Sequence, residues 1–245
     1  MKIPLYLFSG GPAYDGVGRP KPLMKIRQDR SLLVHFLLHL KQQRASLPQS
    51  VTLLCDDDHE AALRAELEPL SYPVPIYVWA CGKQASTFEK FSKALLEAAD
   101  RQGLIQFGYP DIFFFDESPE LKNQTVDSDS LVHISAAPLT SRFPRLIVDL
   151  YNNKVKGISN YSSPVPSNPL CVFGGDLWGR VDQLQKLTEE FRLEAAMASP
   201  SLEYDFFFWL INQDKMRCVM HYGERLWIDS TRDINQLLAR TGEVH

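Results

Sequence analysis

The chain has 245 residues, and its 26 Lys+Arg stand against 30 Asp+Glu for a formal net charge of −4. Hydrophobic residues make up 44% and charged residues 23%, enough apolar surface to offset chain entropy, which excludes whole-chain disorder. The mildly acidic balance argues against a nucleic-acid partner, which would need a basic footprint.

The length points to one α/β domain over residues 1–245. The opening Met1–Phe8 is too short for the apolar region of a signal peptide. No apolar run approaches the ~18–20 residues of a spanning helix, so no membrane partner is expected and the chain reads as cytoplasmic. Cys55, Cys81, Cys171 and Cys218 show no C-x-x-C spacing. They read as free thiols in a reducing compartment, not as zinc ligands.

Ile3–Phe8 is a short apolar run before Gly10-Gly11, the pattern of a buried strand feeding a tight loop. Leu32–Leu40 predicts a well-buried helix. Val51–Cys55 predicts a strand, and Asp56-Asp57-Asp58 opens a helix to about Leu67, with acids where the helix dipole favours them. Ile76–Trp79 predicts a strand and Thr87–Ala99 a helix with Ser86 or Thr87 as its cap. Leu104–Phe107 and Ile112–Phe115 bracket a turn at Gly108-Tyr109-Pro110-Asp111. This repeated strand, loop and helix order predicts a mostly parallel sheet covered on both faces, with ligands at the strands' carboxyl ends.

Ser118–Asp129 is polar and reads as a mobile loop. Leu131–Ala136, Arg145–Leu150 and Val155–Ile158 predict strands, the last two joined as a hairpin. Pro164–Pro169 predicts a loop, and Leu170–Phe173 a strand that stops at Gly174-Gly175. Val181–Phe191 and Leu202–Gln213 predict helices, Arg217–Tyr222 and Leu226–Ile228 strands, and Asp233–Arg240 a closing helix.

Four stretches could carry chemistry. Between Gly10 and Gly18 stand four glycines, with Arg19 and Lys21 just beyond. Glycines let backbone N–H groups approach a phosphate, and the two cations supply fixed charge; a flexible basic loop is the plain alternative. Asp111 sits at the carboxyl end of a buried strand, where a metal ligand would stand, or simply in a Pro-Asp turn. Asp229 precedes Ser230, Thr231 and Asp233, some of which belong to a helix cap. Gln84 lies in a small-residue loop, able to read a flat base or merely to begin a capped helix.

Taken in order, these stretches resemble the sugar-phosphate nucleotidyltransferases. The matching residues are Gly10-Gly11, Pro20-Lys21-Pro22-Leu23, Ala85-Ser86-Thr87, Tyr109-Pro110-Asp111, Asp149–Val155 and Gly174-Gly175-Asp176-Leu177-Trp178. Ser201–Asp205 and Trp227-Ile228-Asp229-Ser230-Thr231-Arg232-Asp233 are most similar to the glucose-1-phosphate cytidylyltransferase branch. Departures stand beside the matches. Pro12-Ala13-Tyr14 replaces the family's G-T-R, and Ser159-Asn160-Tyr161-Ser162 replaces its E-K-P.

The resemblance implies a Rossmann-like glycosyltransferase-A type α/β fold, with a mixed, mostly parallel central sheet flanked by helices. It implies transfer of a nucleoside monophosphate, CMP from CTP by the branch it is nearest, onto a phosphorylated sugar or similar small acceptor, with pyrophosphate released. Mg2+ would be the cofactor, held by Asp111 and Asp229. Lys21, Arg19 and Asp111 would be catalytic. Phe8, Ser9, Gly10, Gly11, Lys21, Gln84, Ser86 and Tyr109 would bind the nucleotide, and Gly174, Gly175 and Glu203 the acceptor. A homo-oligomer is also implied. The departures keep a second reading open, a catalytically impaired relative that binds nucleotide or protein.

Overall fold

The computed structural model describes residues 2–10, 19–27, 30–43, 47–98, 103–115, 132–138, 145–149, 152–159, 170–220 and 225–242. Gly11, Gly16, Gly18, the 118–129 and 164–169 loops and positions 160–162 lie outside them.

Nine of the described strands join in one mixed sheet, ordered β3-β2-β1-β4-β9-β6-β10-β8-β7. Its first half consists of β1 (Leu5–Phe8), β2 (Val51–Cys55), β3 (Ile76–Ala80) and β4 (Leu104–Gly108), all parallel. The second half mixes directions. It holds β6 (Val132–Pro138), β7 (Arg145–Asp149), β8 (Lys154–Ser159), β9 (Leu170–Arg180) and β10 (Met216–Met220). β9 runs antiparallel to both β4 and β6, while β10 returns parallel to β6. The two remaining strands, β5 (Ile112–Phe114) and β11 (Arg225–Trp227), form a separate antiparallel ribbon.

Strand periodicity explains why both faces are covered. Leu5, Leu7, Val51, Leu53 and Cys55 point to one side and pack with α1 (Leu32–Gln43) and α6 (Thr231–Arg240). Tyr6, Phe8, Leu54, Ile105 and Phe107 point to the other and pack with α3 (Thr87–Glu97) and α4 (Val181–Ala195). A strand buried on both faces reads as a continuous apolar run, which is how β1 and β2 stand in the sequence. α2 (Glu60–Leu67) covers the edge beside β3, and its one buried residue is Leu63. No helix among the described residues is long and apolar enough to cross a membrane.

Local chemistry sets most boundaries. Ser86 caps α3 in a capping box: its Oγ accepts from Glu89 N–H at 3.2 Å, and Glu89 Oε2 accepts from Ser86 N–H at 2.5 Å. The hairpin β7–β8 turns at Asn153, whose φ of 55° is left-handed, and Asn152 Oδ1 accepts from Lys154 N–H.

Two elements depart from the sequence expectation by more than a few residues or in type. β9 does not stop at Gly174-Gly175 but continues to Arg180, because β4 and β6 pair with its second half. Gly175 absorbs the irregularity in the ladder with a φ of +92°. The expected helix over 202–213 is instead one π-helical turn, Leu202–Phe206, followed by α5 (Phe207–Asn212). All four cysteines are free; Cys55, Cys171 and Cys218 are buried and Cys81 half-buried. Burial pushes the Cys55 and Cys218 thiols up to about 12, so they remain protonated and unreactive at neutral pH.

Candidate active site

In the parallel half of the sheet, chain order reverses between β1 and β4, which opens a crevice at their carboxyl ends. Gly10 leaves β1 there, and Gly108-Tyr109-Pro110-Asp111 leaves β4.

Lys21 is delivered to this crevice by a proline-braced 3-10 turn. Pro20 precedes Lys21–Leu23, Pro22 sits inside it, and Pro22 and Leu23 are buried. The ribbon brings the two acids to the same place. Trp227 pairs with Ile112, and Ile228 N–H donates to the Asp111 carbonyl at 2.9 Å, so Asp111 and Asp229 leave neighbouring ribbon ends. Lys21 Nζ then lies 2.5 Å from Asp111 Oδ2 and 2.7 Å from Asp229 Oδ1. Burial lowers the affinity of this ammonium for its proton, but the two carboxylates outweigh it, and the pKa of Lys21 ends above the ordinary lysine value. Of the other residues in this segment, Ser230 caps α6, and buried Asp233 accepts from Asp229 N–H at 3.0 Å and from Ser230 Oγ at 2.8 Å.

Both acids line a cavity of about 290 Å³. Glu203, on the π-helical turn, lines it too, and its Oε1 accepts a short hydrogen bond from the Tyr109 hydroxyl. Burial, followed by the charge of Glu203, holds the Tyr109 phenol well above its usual value, so it remains a neutral donor. The rest of its described wall is aromatic and aliphatic. Tyr109 and Phe173 meet edge to face at 6.3 Å and Phe173 and Phe207 at 5.4 Å, and Trp227, Tyr204, Ile112, Leu146 and Ile158 also line it.

The other expected site residues fall in different places. Phe8 is buried and stacked on Phe107 at 5.7 Å, and Ser9 is fully buried with its Oγ bonded to the Leu7 carbonyl. Neither side chain is therefore presented to a nucleotide. The hydroxyl of Ser86 is engaged in the helix cap. Gln84 is exposed in a left-handed turn with a φ of 52°, and Arg19 is exposed two residues before Lys21. Gly10 is tightly enclosed: a Cβ there would lie 2.2 Å from Lys90 Nζ. Lys90 is buried on α3 and ion-paired with Asp56 Oδ1 at 2.9 Å. Nothing in its local sequence marks Lys90, because only the fold turns that side of the helix toward β1.

Gly174 and Gly175 require a correction. The room they leave is occupied by protein, and neither lines the cavity. A Cβ on Gly174 would lie 1.7 Å from Arg225 Nη1, and one on Gly175 would lie 2.3 Å from Ile112 Cδ1. Arg225 donates to the Gly174 carbonyl and, at 3.1 Å, to Ser135 Oγ, with its guanidinium 4.4 Å from the Phe114 ring centre. Burial brings this guanidinium down to about 10, opposed by Asp176. Arg225 thus fastens the ribbon that carries Asp111 and Asp229 to β9 and β6. Gly174→Ala is expected to lower stability by about 2–3 kcal/mol through overpacking and displacement of hydrogen bonds to a charged group. Urea unfolding checks it, and an unchanged midpoint would show that Arg225 is free to move aside.

Among the described residues, no three His, Cys, Asp or Glu side chains form a metal cluster. Two carboxylates are nonetheless what Mg2+ commonly takes from a protein when phosphates and waters complete its shell. Asp111 and Asp229 fit that donor set, since they already share one cation, the Lys21 ammonium.

No protein-family model and no curated protein sequence matches this chain. Solved structures do match it in fold. HddC from Yersinia pseudotuberculosis is 15% identical with a TM-score of 0.70, covering 98% of this chain and 99% of that one. The inositol-1-phosphate CTP transferase from T. maritima is 12% identical with a TM-score of 0.70, covering 99% and 96%. The UTP-bound UGPase from Acinetobacter baumannii is 12% identical with a TM-score of 0.70, covering 100% and 95%. The chain therefore has the mixed-sheet α/β fold that these proteins share, along nearly its whole length and theirs.

Proposed function

We propose that this protein is a nucleotidyltransferase that moves a nucleoside monophosphate from a nucleoside triphosphate to a small phosphorylated acceptor and releases pyrophosphate. The observation that carries this is Lys21 clasped by Asp111 and Asp229 beside a cavity that both acids line. The fold adds support, since one neighbour is named as a CTP transferase and another was solved bound to UTP.

In this reading an oxygen of the acceptor phosphate forms a bond to the α-phosphorus, and the bond from that phosphorus to the bridging oxygen breaks. Pyrophosphate leaves with the electron pair. The site's task is to bring two polyanions together and steady the charge in line. Unit charges ~4 Å apart repel by about 1 kcal/mol in water and more in a drier site. Asp111 and Asp229 would hold Mg2+, which when bound neutralises phosphate charge. Lys21 would turn from the carboxylates to the phosphates, and Arg19 would face the departing pyrophosphate. Gly10 lets the chain pass close to Lys90, so backbone rather than the Phe8 or Ser9 side chain would face base and ribose.

CTP is the donor to test first, on the likeness of residues 227–233 to the cytidylyltransferase branch. Thermal unfolding with each of four nucleoside triphosphates and Mg2+ is the test. A ligand at 100 times its Kd adds about 2.7 kcal/mol, so one triphosphate, expected to be CTP, should raise Tm by several degrees. No shift with any of the four would overturn the enzymatic reading in favour of an inert relative.

A further inference from the structure

Resting on the reading that the Gly10 backbone faces the donor nucleotide, we propose that Lys90, ion-paired with Asp56, is a positioning residue that seats Gly10 for the triphosphate and so sets its affinity. Lys90 stands where a lysine is rarely found. It is 4% exposed, on a helix whose other buried residues include Phe88, Phe91 and Leu95. A buried ion pair gains little stability over apolar side chains of the same size, because withdrawing two charges from water offsets their attraction. The charge is better explained by what it fixes.

The exits of three neighbouring parallel strands are joined through this pair. Gly10 follows β1, Asp56 follows β2, and Gly82 follows β3. Lys90 Nζ lies 2.9 Å from Asp56 Oδ1. A Cβ on Gly10 would lie 2.2 Å from Lys90 Nζ and 3.3 Å from Asp56 Oδ2, so the backbone there rests on the pair itself. The φ of Gly10 is not left-handed, and its missing side chain answers to this contact rather than to a turn. One residue beyond Asp56, Asp57 N–H donates to the Gly82 carbonyl at 3.1 Å, and Gly82 N–H donates to Asp57 Oδ1 at 2.8 Å. Gly82 opens the loop that carries Gln84. The ammonium thus holds the β1 exit against the two exits beside it, at the carboxyl ends where α/β folds place ligands. Neither Lys90 nor Asp56 lines the cavity that Asp111 and Asp229 share, so the seat and the metal-suited pair can be perturbed separately.

Calorimetry on the full chain tests this with two affinities. One is for Mg2+ alone; the other, in Mg2+, is for whichever of CTP, UTP, ATP and GTP binds the unmodified chain most tightly. Lys90→Met should weaken the triphosphate by about tenfold or more and leave Mg2+ affinity within about twofold, because sites without shared partners act independently. Gly10→Ala keeps the charge but displaces the ammonium, and should weaken the triphosphate similarly. It should cost little more once Lys90→Ala has cleared the space, since residues in contact are coupled. If Lys90→Met fails to fold because Asp56 is left buried and alone, Lys90→Met with Asp56→Asn removes both charges and carries the same expectation. Unchanged triphosphate affinity in a folded Lys90 variant, equal losses for triphosphate and Mg2+, or additive effects of Gly10→Ala and Lys90→Ala would each overturn the proposal. A merely structural role would lower stability without the selective loss. Pyrophosphate release, assayed separately, keeps the two readings apart. Release by the unmodified chain, with Lys90→Met binding triphosphate just as tightly, sinks the positioning role and leaves the nucleotidyltransferase. Lys90-dependent triphosphate binding without release to any phosphorylated acceptor does the reverse, and an unmodified chain that binds none of the four triphosphates overturns both.

Discussion

Asp111→Asn is expected to reduce nucleotidyl transfer by about 10²–10³-fold, the loss seen when one preorganised charge-stabilising group is removed from a transition state. The amide keeps the shape of the side chain, so the fold should persist, and Ile228 N–H still finds the Asp111 backbone carbonyl. What disappears is one of two anionic oxygens that can share a cation. Asp229→Asn should behave in the same direction but more mildly, since its side chain is 37% exposed against 23% for Asp111 and water can replace part of its role. Pyrophosphate release at saturating triphosphate, titrated with Mg2+, measures both. Each variant should need more Mg2+ for half-maximal rate; full activity at the unmodified chain's Mg2+ demand would remove these acids from the chemistry.

Lys21→Met should act on stability, rate and metal binding in different directions. The raised pKa of Lys21 means that the folded chain holds this proton more tightly than the unfolded chain does. Its stabilising contribution is therefore complete below the ordinary lysine value of 10.5 and fades as pH rises through the higher folded value. Removing the ammonium leaves two carboxylates facing each other. The variant should lose about 1–2 kcal/mol near neutral pH, a modest figure because all three side chains are partly exposed to water. Turnover should drop by about 10²-fold. Mg2+ alone should nonetheless bind more tightly, because the ammonium and a dication compete for the same two oxygens. Urea unfolding at pH 5, 7 and 9, with Mg2+ calorimetry, tests this. A variant with unchanged stability and weaker Mg2+ binding would show that the clasp does not hold Lys21 in solution.

The same competition would bear on the proposed reaction. With no phosphates present, Lys21 satisfies both acids. In the proposed reaction, an arriving polyphosphate with its counter-ion would offer the ammonium a new anion and the carboxylates a new cation, so the exchange would conserve charge pairing at each step. A site arranged this way avoids two bare carboxylates in the crevice between turnovers.

Where local order sufficed, the structure agrees with the sequence. β1 and β2 are short apolar runs because both their faces are buried. Ser86 with Glu89, and Ser230 with Asp233, announce helix starts through contacts three residues apart. Where neighbours decide, it does not. Gly174-Gly175 resembles the end of a strand, yet pairing with β4 and β6 carries β9 to Arg180. Leu202–Gln213 has helical spacing throughout, but its first turn widens to a π-helix that sets Glu203 against Tyr109.

By itself, then, the sequence determined the α/β order, the buried strands, the caps, and the identities of Lys21, Asp111 and Asp229 as residues worth placing together. These depend on contacts a few positions apart or on the pattern of one strand. Only the tertiary structure decided that Lys21 lies between the two acids, that Arg225 fills the room left by Gly174, and that Phe173, Phe207 and Trp227 wall one cavity with Glu203. Lys21 and Asp229 stand 208 positions apart, and no local preference reports a meeting over that distance. It follows from ribbon pairing and sheet order, which exist only once the whole chain has packed.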